Sequence, residues 1–511
     1  MLRYFRQILL LVLTAGVFLG FSWTDSALAQ SHPDDIGPYL DRAMNQVTEF
    51  RLNNGMRFIV MEQHQAPVVS FLTYADVGGV DEPDGQTGVA HYLEHLAFKG
   101  TQRIGTTDYD AERIKLEKLD HVFDRMQALK GSPEADVIEQ RVQLLGEFKR
   151  LQDEAEKYVI SNQYGQIVQQ AGGVGVNATT SAEATRYFYS FPANKLELWM
   201  SLESERFLEP VFRDFYQEKS VILEERRLRT ENSPTGQLFD AFLAKTFREH
   251  PYRRPVIGYE EDIQNLTRAN VQDFFDKHYI PSQLTTVIVG DVQPSEVKRL
   301  AEIYFGRYQP RPFQPTEPKP EPPQTRLRQV NLKLPSQPWY LEGYPCPPLK
   351  DPDYLAYEML SRILSDGRTS RLYKSLVLEQ GIALNAQTYL GFPGNKYPNR
   401  FIFYALTSPG HSLDQVAKAI HTEIEKLQRS PVSEAELDQL KTRARMELLQ
   451  ALMSNEGIAR LLAEYAVKTG DWRKIFTKLE AIAQVTPADI QRVAQTLKAS
   501  QRTVAQILPE S

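Results

Sequence analysis

The chain has 511 residues, 42% of them hydrophobic and 24% charged, with a formal net charge of −6. That length gives room for about two to four domains with sizeable cores, and the acidic balance offers no footing for nucleic acid. The single cysteine, Cys346, excludes an intrachain disulfide and a multi-thiolate zinc site, which leaves histidine and carboxylate as candidate metal ligands.

In chain order, Arg3 and Arg6 precede an apolar run from Ile8 to Phe21, and Ala27-Leu28-Ala29 forms a small-x-small site before Gln30. Residues 1–29 therefore read as an export signal. An uncleaved anchor is the alternative, although the apolar run is short for a span of about 20 residues. The expected location is outside the cytoplasm, in the periplasm or cell envelope, with the membrane involved only through an uncleaved signal. Residues 31–47 read as a short leader. Glu49 to Val60 reads as a β-hairpin turning on Asn54-Gly55, and Val68 to Asp76 as a further strand.

Next comes Gly88-Val89-Ala90-His91-Tyr92-Leu93-Glu94-His95-Leu96-Ala97-Phe98. With apolar neighbours and no Gly or Pro after Gly88, the stretch reads as a helix. His91 and His95 then sit at i and i+4 on one face and can share a tetrahedral metal ion. Glu94, on the adjoining flank, is placed to reach a metal-activated water rather than the metal itself. His-x-x-Glu-His is the inverted form of a zinc peptidase motif. A histidine pair at this spacing also arises on solvated helix faces, so its surroundings decide.

Residues 110–160 form a block with two helical apolar series, Leu116, Leu119, Phe123, Met126 and Ile138, Val142, Leu145, Phe148, Leu151, separated by Gly131-Ser132-Pro133. This predicts an αα-hairpin insertion with those series along one seam. Val174 to Thr180 is β-prone and built of small residues, which suits close approach of another backbone. Leu196–Phe207 and Phe215–Arg229 read as helices, and Val287–Gly290 as a buried strand. Seven prolines between Tyr308 and Thr325 make an extended linker.

The helix, Ser-Gln turn and strand of residues 271–287 resemble those of residues 490–504, which points to two halves of similar design. The expected fold is α+β. A first half over 45–309 carries the hairpin at 110–160, a linker covers 310–325, and a second half covers 326–511. Each half is expected to hold a mixed or antiparallel sheet with helices packed on it.

Zinc catalysis needs a third protein ligand and an open position. Glu218 and Glu225 share a face two turns apart on one predicted helix. One could bind metal while the other steadies a ligand, and spacing alone does not choose between them. His121, His250, His278, His411 and His421 lack motif context.

The ordered motifs resemble the pitrilysin and insulinase family of zinc peptidases, in its mitochondrial-processing-peptidase-like bacterial branch. They are His91-x-x-Glu94-His95-Leu96-Ala97-Phe98-Lys99-Gly100-Thr101, Asn177-Ala178-x-Thr180-Ser181-x-Glu183-x-Thr185, Val221-Ile222-Leu223-x-Glu225, His250-Pro251-Tyr252 to Gly258, and Tyr279-x-Pro281 to Asp291. The resemblance implies one Zn2+ per chain on His91, His95 and Glu225, with Glu94 as general base and Glu218 supporting a ligand. Asn177 and Ala178 would lie on an edge strand that takes an extended peptide as an added strand, and Phe98 would line a pocket beside the scissile bond.

Two departures qualify it. Near Ser370-Arg371-Leu372 the family supplies an Arg and a Tyr for the substrate and oxyanion, but Val377 and Leu384 stand in those places and cannot donate. Arg371 and Tyr373 are near but out of register. The resemblance thus implies a zinc-bearing subunit whose homologous partner carries the Arg/Tyr pair; the alternative is a non-proteolytic structural subunit of an envelope or membrane complex. Second, His95 and Glu225 lie 130 positions apart, and the hairpin accounts for the excess. A position that would read a substrate arginine falls at Gly236, with Asp240 as another candidate.

Overall fold

A computed structural model of the chain describes residues 37–313 and 317–509; the expected export signal lies outside them. Residues 37–45, expected as leader, form a helix whose Leu40 and Ala43 are buried. The strands of the first sheet are β1 (Val47–Arg51), β2 (Arg57–Glu62), β3 (Val68–Ala75), β4 (Val174–Thr180), β5 (Thr185–Pro192) and β6 (Leu284–Gly290). Those of the second are β7 (Arg328–Leu334), β8 (Trp339–Cys346), β9 (Ala383–Phe392), β10 (Asn399–Thr407) and β11 (Thr503–Pro509).

The first sheet runs β1-β2-β6-β3-β5-β4 and the second β7-β11-β8-β10-β9. With β1 set aside, the two orders correspond strand for strand. The one parallel pair falls at the same place in each, β2 with β6 and β7 with β11, and every other pair is antiparallel. The repeated segment explains this. In each half a helix (Arg268–His278; Pro487–Ala494) leads through a 3-10 turn (Pro281–Gln283; Ala499–Gln501) into the parallel strand. The fold is α+β with two halves of like design.

The halves are not separately wrapped. In β2, Phe58 and Val60 join one core while Ile59 and Met61 join another; β3 and β6 alternate in the same way. At β2, β3 and β6 both faces of the sheet are therefore buried, which makes those strands near-continuous apolar runs. One face carries the first half's own helices. The other is covered by helix Asn455–Lys468 and its neighbours from the second half, through Ile458, Leu462, Ala463, Trp472 and Ile475. Reciprocally, helix Pro234–Thr246 of the first half lays Leu238 and Phe242 on Leu341, Ile402, Ala505 and Ile507 of the second sheet. A Cβ at Gly343 would stand 2.6 Å from the Phe242 ring, so that close approach needs glycine.

Residues 317–325 of the linker are tied down through Glu321 and Gln324. Backbone N–H groups of Arg248 and Glu249 donate to Glu321 at 2.7 and 3.0 Å, and Gln324 donates to the Arg502 carbonyl at 2.6 Å. The hairpin forms from helices Tyr109–Ala128 and Ala135–Glu156. Its expected seam is corrected on the second helix: Leu144, Leu151 and Ala155 are buried with Phe148 packed beside them, whereas Ile138, Val142 and Leu145 face solvent. Two apolar stripes overlap on that helix, and the one nearer the hairpin root meets the core.

Candidate metal centre

The motif helix, Val89–Leu96, starts at Gly88, whose φ of +88° and tight approach to the Ile257 carbonyl both favour glycine. Gly88 N–H and Ala90 N–H donate to the two Glu82 oxygens, each at 3.0 Å. Glu82 thereby satisfies donors that a helix start leaves unpaired. Burial nevertheless pushes its carboxyl up to about 8, against the pull of those N–H groups. Tyr92 stacks on Phe215 and donates to the Phe215 carbonyl, fastening the motif helix to helix Phe215–Arg226.

The structure separates the two glutamates that spacing could not. Glu225 faces both imidazoles: His91 Nε2 lies 3.7 Å from Oε1, and His95 Nε2 lies 3.6 Å from Oε2. Glu218 takes the far side of His95, with Nδ1 2.8 Å from its Oε1, while Lys99 Nζ lies 2.7 Å from its Oε2. His91, His95 and Glu225 offer one ligand atom each, all within 4.8 Å of one another. Around a tetrahedral ion with bonds of about 2.1 Å, ligand atoms stand about 3.4 Å apart. A donor set of two imidazoles and a carboxylate, with the carboxylate oxygens 3.6 and 3.7 Å from the two Nε2 atoms, fits zinc.

The electrostatics agree with that fit. Burial, then the neighbouring His95 and Arg229, depress His91 to about 3, so its ring is neutral and carries a lone pair. Burial opposes protonation of His95, but the Glu218 hydrogen bond and the surrounding carboxylates raise its pKa. Against the cost of burial, His95 and Lys99 hold Glu218 down at about 2, a fixed anion behind the ring. Glu94 is raised by burial, partly offset by Thr180, whose hydroxyl donates to Oε2 at 2.5 Å. A partly desolvated carboxylate of this kind is suited to accepting and returning a proton.

Thr180 ends β4, which pairs only with β5 among the described residues and is the sheet's outer strand. Asn177 on it is exposed and Ala178 buried. Phe98 is half-buried against Tyr164 and Tyr187, with the Arg206 guanidinium 4.7 Å from its ring centre. Sequence reasoning did not assign Thr180, Lys99 or Arg229 to the site. Arg229 lies on a π-helical turn, Arg227–Glu231, with Nη1 2.6 Å from Glu225 Oε1; its spacing of four from Glu225 was the available signal. Glu224 points away and pairs with Arg227. Asp240 lies 3.9 Å from Arg226.

In the second half, Leu384 is the second residue of β9 and is exposed, and Val377 lies on a second π-helical turn, Tyr373–Glu379. Arg371 is held by Glu436 through two contacts of 2.8 and 3.0 Å, and Tyr373 lies under Arg368.

A duplicated α+β scaffold, with a His-x-x-Glu-His helix and a distal glutamate in the first half only, defines the class of protein. Two family models match it side by side: the insulinase (peptidase family M16) model over residues 57–117 and 151–260, and the peptidase M16 inactive domain model over residues 265–444. The chain belongs to the insulinase family, peptidase family M16. It is 28% identical over 477 residues to the zinc protease PqqE of Helicobacter pylori, covering 90% of this chain and 92% of that one. It is 23% identical over 487 residues to a probable mitochondrial-processing peptidase subunit beta of Schizosaccharomyces pombe, covering 92% of each. Among solved structures, a protease from Helicobacter pylori superposes with a TM-score of 0.76 at 26% identity, over 91% of this chain and 99% of that one. The hairpin tip falls outside both family models.

Proposed function

We propose that the chain is an exported zinc endopeptidase acting on extended peptides. The observation that carries this reading is the convergence of His91, His95 and Glu225 within 4.8 Å, with Glu94 on the adjoining flank. A zinc ion held there would supply Lewis acidity, acidifying water and polarising a peptide carbonyl. Glu94 accepts the proton of the attacking water and returns it to the leaving amine. Thr180 aims that carboxylate, and it stands at the end of the edge strand on which a peptide would lie. Glu218 orients His95 through Nδ1 and keeps Nε2 turned inward. Asn177 and Ala178 offer the strand edge, and Phe98 borders the position beside the bond to be cut.

The chain lacks its own oxyanion donors at Val377 and Leu384, and Arg371 is committed to Glu436. A homologous subunit supplying an Arg and a Tyr completes the site in this reading. The second reading, a non-proteolytic subunit of an envelope complex, draws on that gap and on the second half's match to a domain described as inactive. The test is to purify residues 30–511 and assay an internally quenched unfolded peptide, with and without a homologous partner subunit. Cleavage that needs the partner supports the proposal. Full cleavage by the chain alone removes the partner requirement, and bound zinc with no cleavage in either case favours the structural reading.

A further inference from the structure

The Glu225 carboxylate is shared by three groups. His91 Nε2 faces Oε1 and His95 Nε2 faces Oε2, but Oε1 is already the oxygen that Arg229 Nη1 holds at 2.6 Å. Arg229 is brought there by the backbone. Helix Phe215–Arg226 gives way to the π-helical turn Arg227–Glu231, and such turns cluster at functional sites because they redirect side chains. The turn packs against the first residues of helix Pro234–Thr246, where a Cβ on Gly236 would stand 2.1 Å from the Arg229 carbonyl oxygen. Glycine at 236, where an acidic substrate-reading residue was expected, is what lets the turn sit so close. Arg226 fixes the same turn from its other side, donating to the Gly258 carbonyl at 2.6 Å. The Arg229 side chain is 72% exposed, so it lies on the solvent side of the site and supports no core.

We propose that Arg229 is a positioning residue for the metal centre: it donates to Oε1 of Glu225 and so biases that glutamate toward ligation through Oε2. A carboxylate free at both oxygens can chelate an ion through both and fill the position a water needs. A guanidinium donating to one oxygen competes with this and also lowers the charge the carboxylate offers the metal. The arrangement trades metal affinity for an open coordination position. This rests on the metal reading above.

The experiment uses the full chain, stripped of metal, with zinc affinity measured by chelator competition in the wild type, Arg229→Met and Arg229→Lys. Arg229→Met is expected to bind zinc more tightly by about three- to tenfold, the scale of removing one partly screened cation, and Arg229→Lys to stay within about twofold of wild type because it keeps the charge. In the cobalt-substituted protein, the visible absorption of Arg229→Met should weaken, as it does when a four-coordinate ion becomes five-coordinate. A role confined to folding would move neither quantity in this direction. Zinc affinity in Arg229→Met that is unchanged or weaker overturns the inference while leaving the metal site standing, whereas a wild-type chain that binds no zinc overturns the metal reading itself.

Discussion

The two halves share a strand order but not a chemistry. In the first half the helix after β3 presents His91, Glu94 and His95 to Glu225 across an open face. In the second half the helix after β8, Tyr354–Ser365, spends its charges on neighbours: Glu358 pairs with Lys478 at 2.9 Å and Arg362 with Glu447 at 2.7 Å. The scaffold depends on many apolar positions, each replaceable by a similar one, whereas the site depends on four or five side chains that tolerate no equivalent. A duplicated fold can therefore carry its site in one half only. The second half's contribution is mechanical. It covers the back of the sheet that carries the site, and it ties down the turn after β4, because buried Glu183, three residues after Thr180, pairs with Lys468 at 2.7 Å and accepts the Lys396 N–H.

That division of labour can be broken at its seam. Phe242 is fully buried on the second sheet although it belongs to the first half. Phe242→Ala should destabilise the whole chain by about 3–5 kcal/mol, with both halves melting together in denaturant; independent melting of the halves would show the wrapping to be incidental. The chemical side is sharpened by Glu218→Ala, which leaves all three ligands in place. It should weaken zinc binding about 10–100-fold, beyond the stability lost when Lys99 and His95 give up their partner, and an unchanged affinity would remove Glu218 from the site.

Glu82 tests how the motif helix is anchored. Its carboxyl keeps a proton in the folded chain up to about pH 8 that an unfolded chain releases near 4.5. The stability carried by that proton is full below pH 4.5 and lost as pH rises to about 8. The urea midpoint of the wild type should therefore fall more steeply over that window than that of Glu82→Gln; equal slopes would contradict the assignment. The smallest effect belongs to the hairpin. Val142→Ser, on the solvent-facing stripe, should shift stability by no more than about 0.5 kcal/mol, against about 2–5 kcal/mol for Leu144→Ala.

Much of this was legible in the sequence, for identifiable reasons. The α+β duplication followed from the repeated helix, Ser-Gln turn and strand, whose local residues dictate local geometry. The motif histidines followed from helical periodicity. By spacing alone Glu218 and Glu225 were interchangeable, because seven residues is two turns; the resemblance assigned Glu225 to the metal, and the distances to Nδ1 and Nε2 are what the structure adds. The crossed wrapping was hidden, since Phe242 and Gly343 are remote in sequence and no periodicity reports which sheet a buried ring will meet. The π turn was hidden, because Phe215–Arg229 read as one regular helix; the spacing of Arg229 four residues after Glu225 was a signal left unused. The hairpin seam was misread because two apolar stripes differ by a single register step, and packing decides between them.

The central claim is that the first half alone holds a working metal centre with Glu94 as its base. The most direct measurement is zinc content together with peptide cleavage for the wild type and Glu94→Gln, both assayed with the homologous partner present. The account predicts one zinc per chain in both proteins, and cleavage in the mutant lower by about 10²–10⁴-fold. Equal cleavage by Glu94→Gln, or no zinc in either protein, would contradict it.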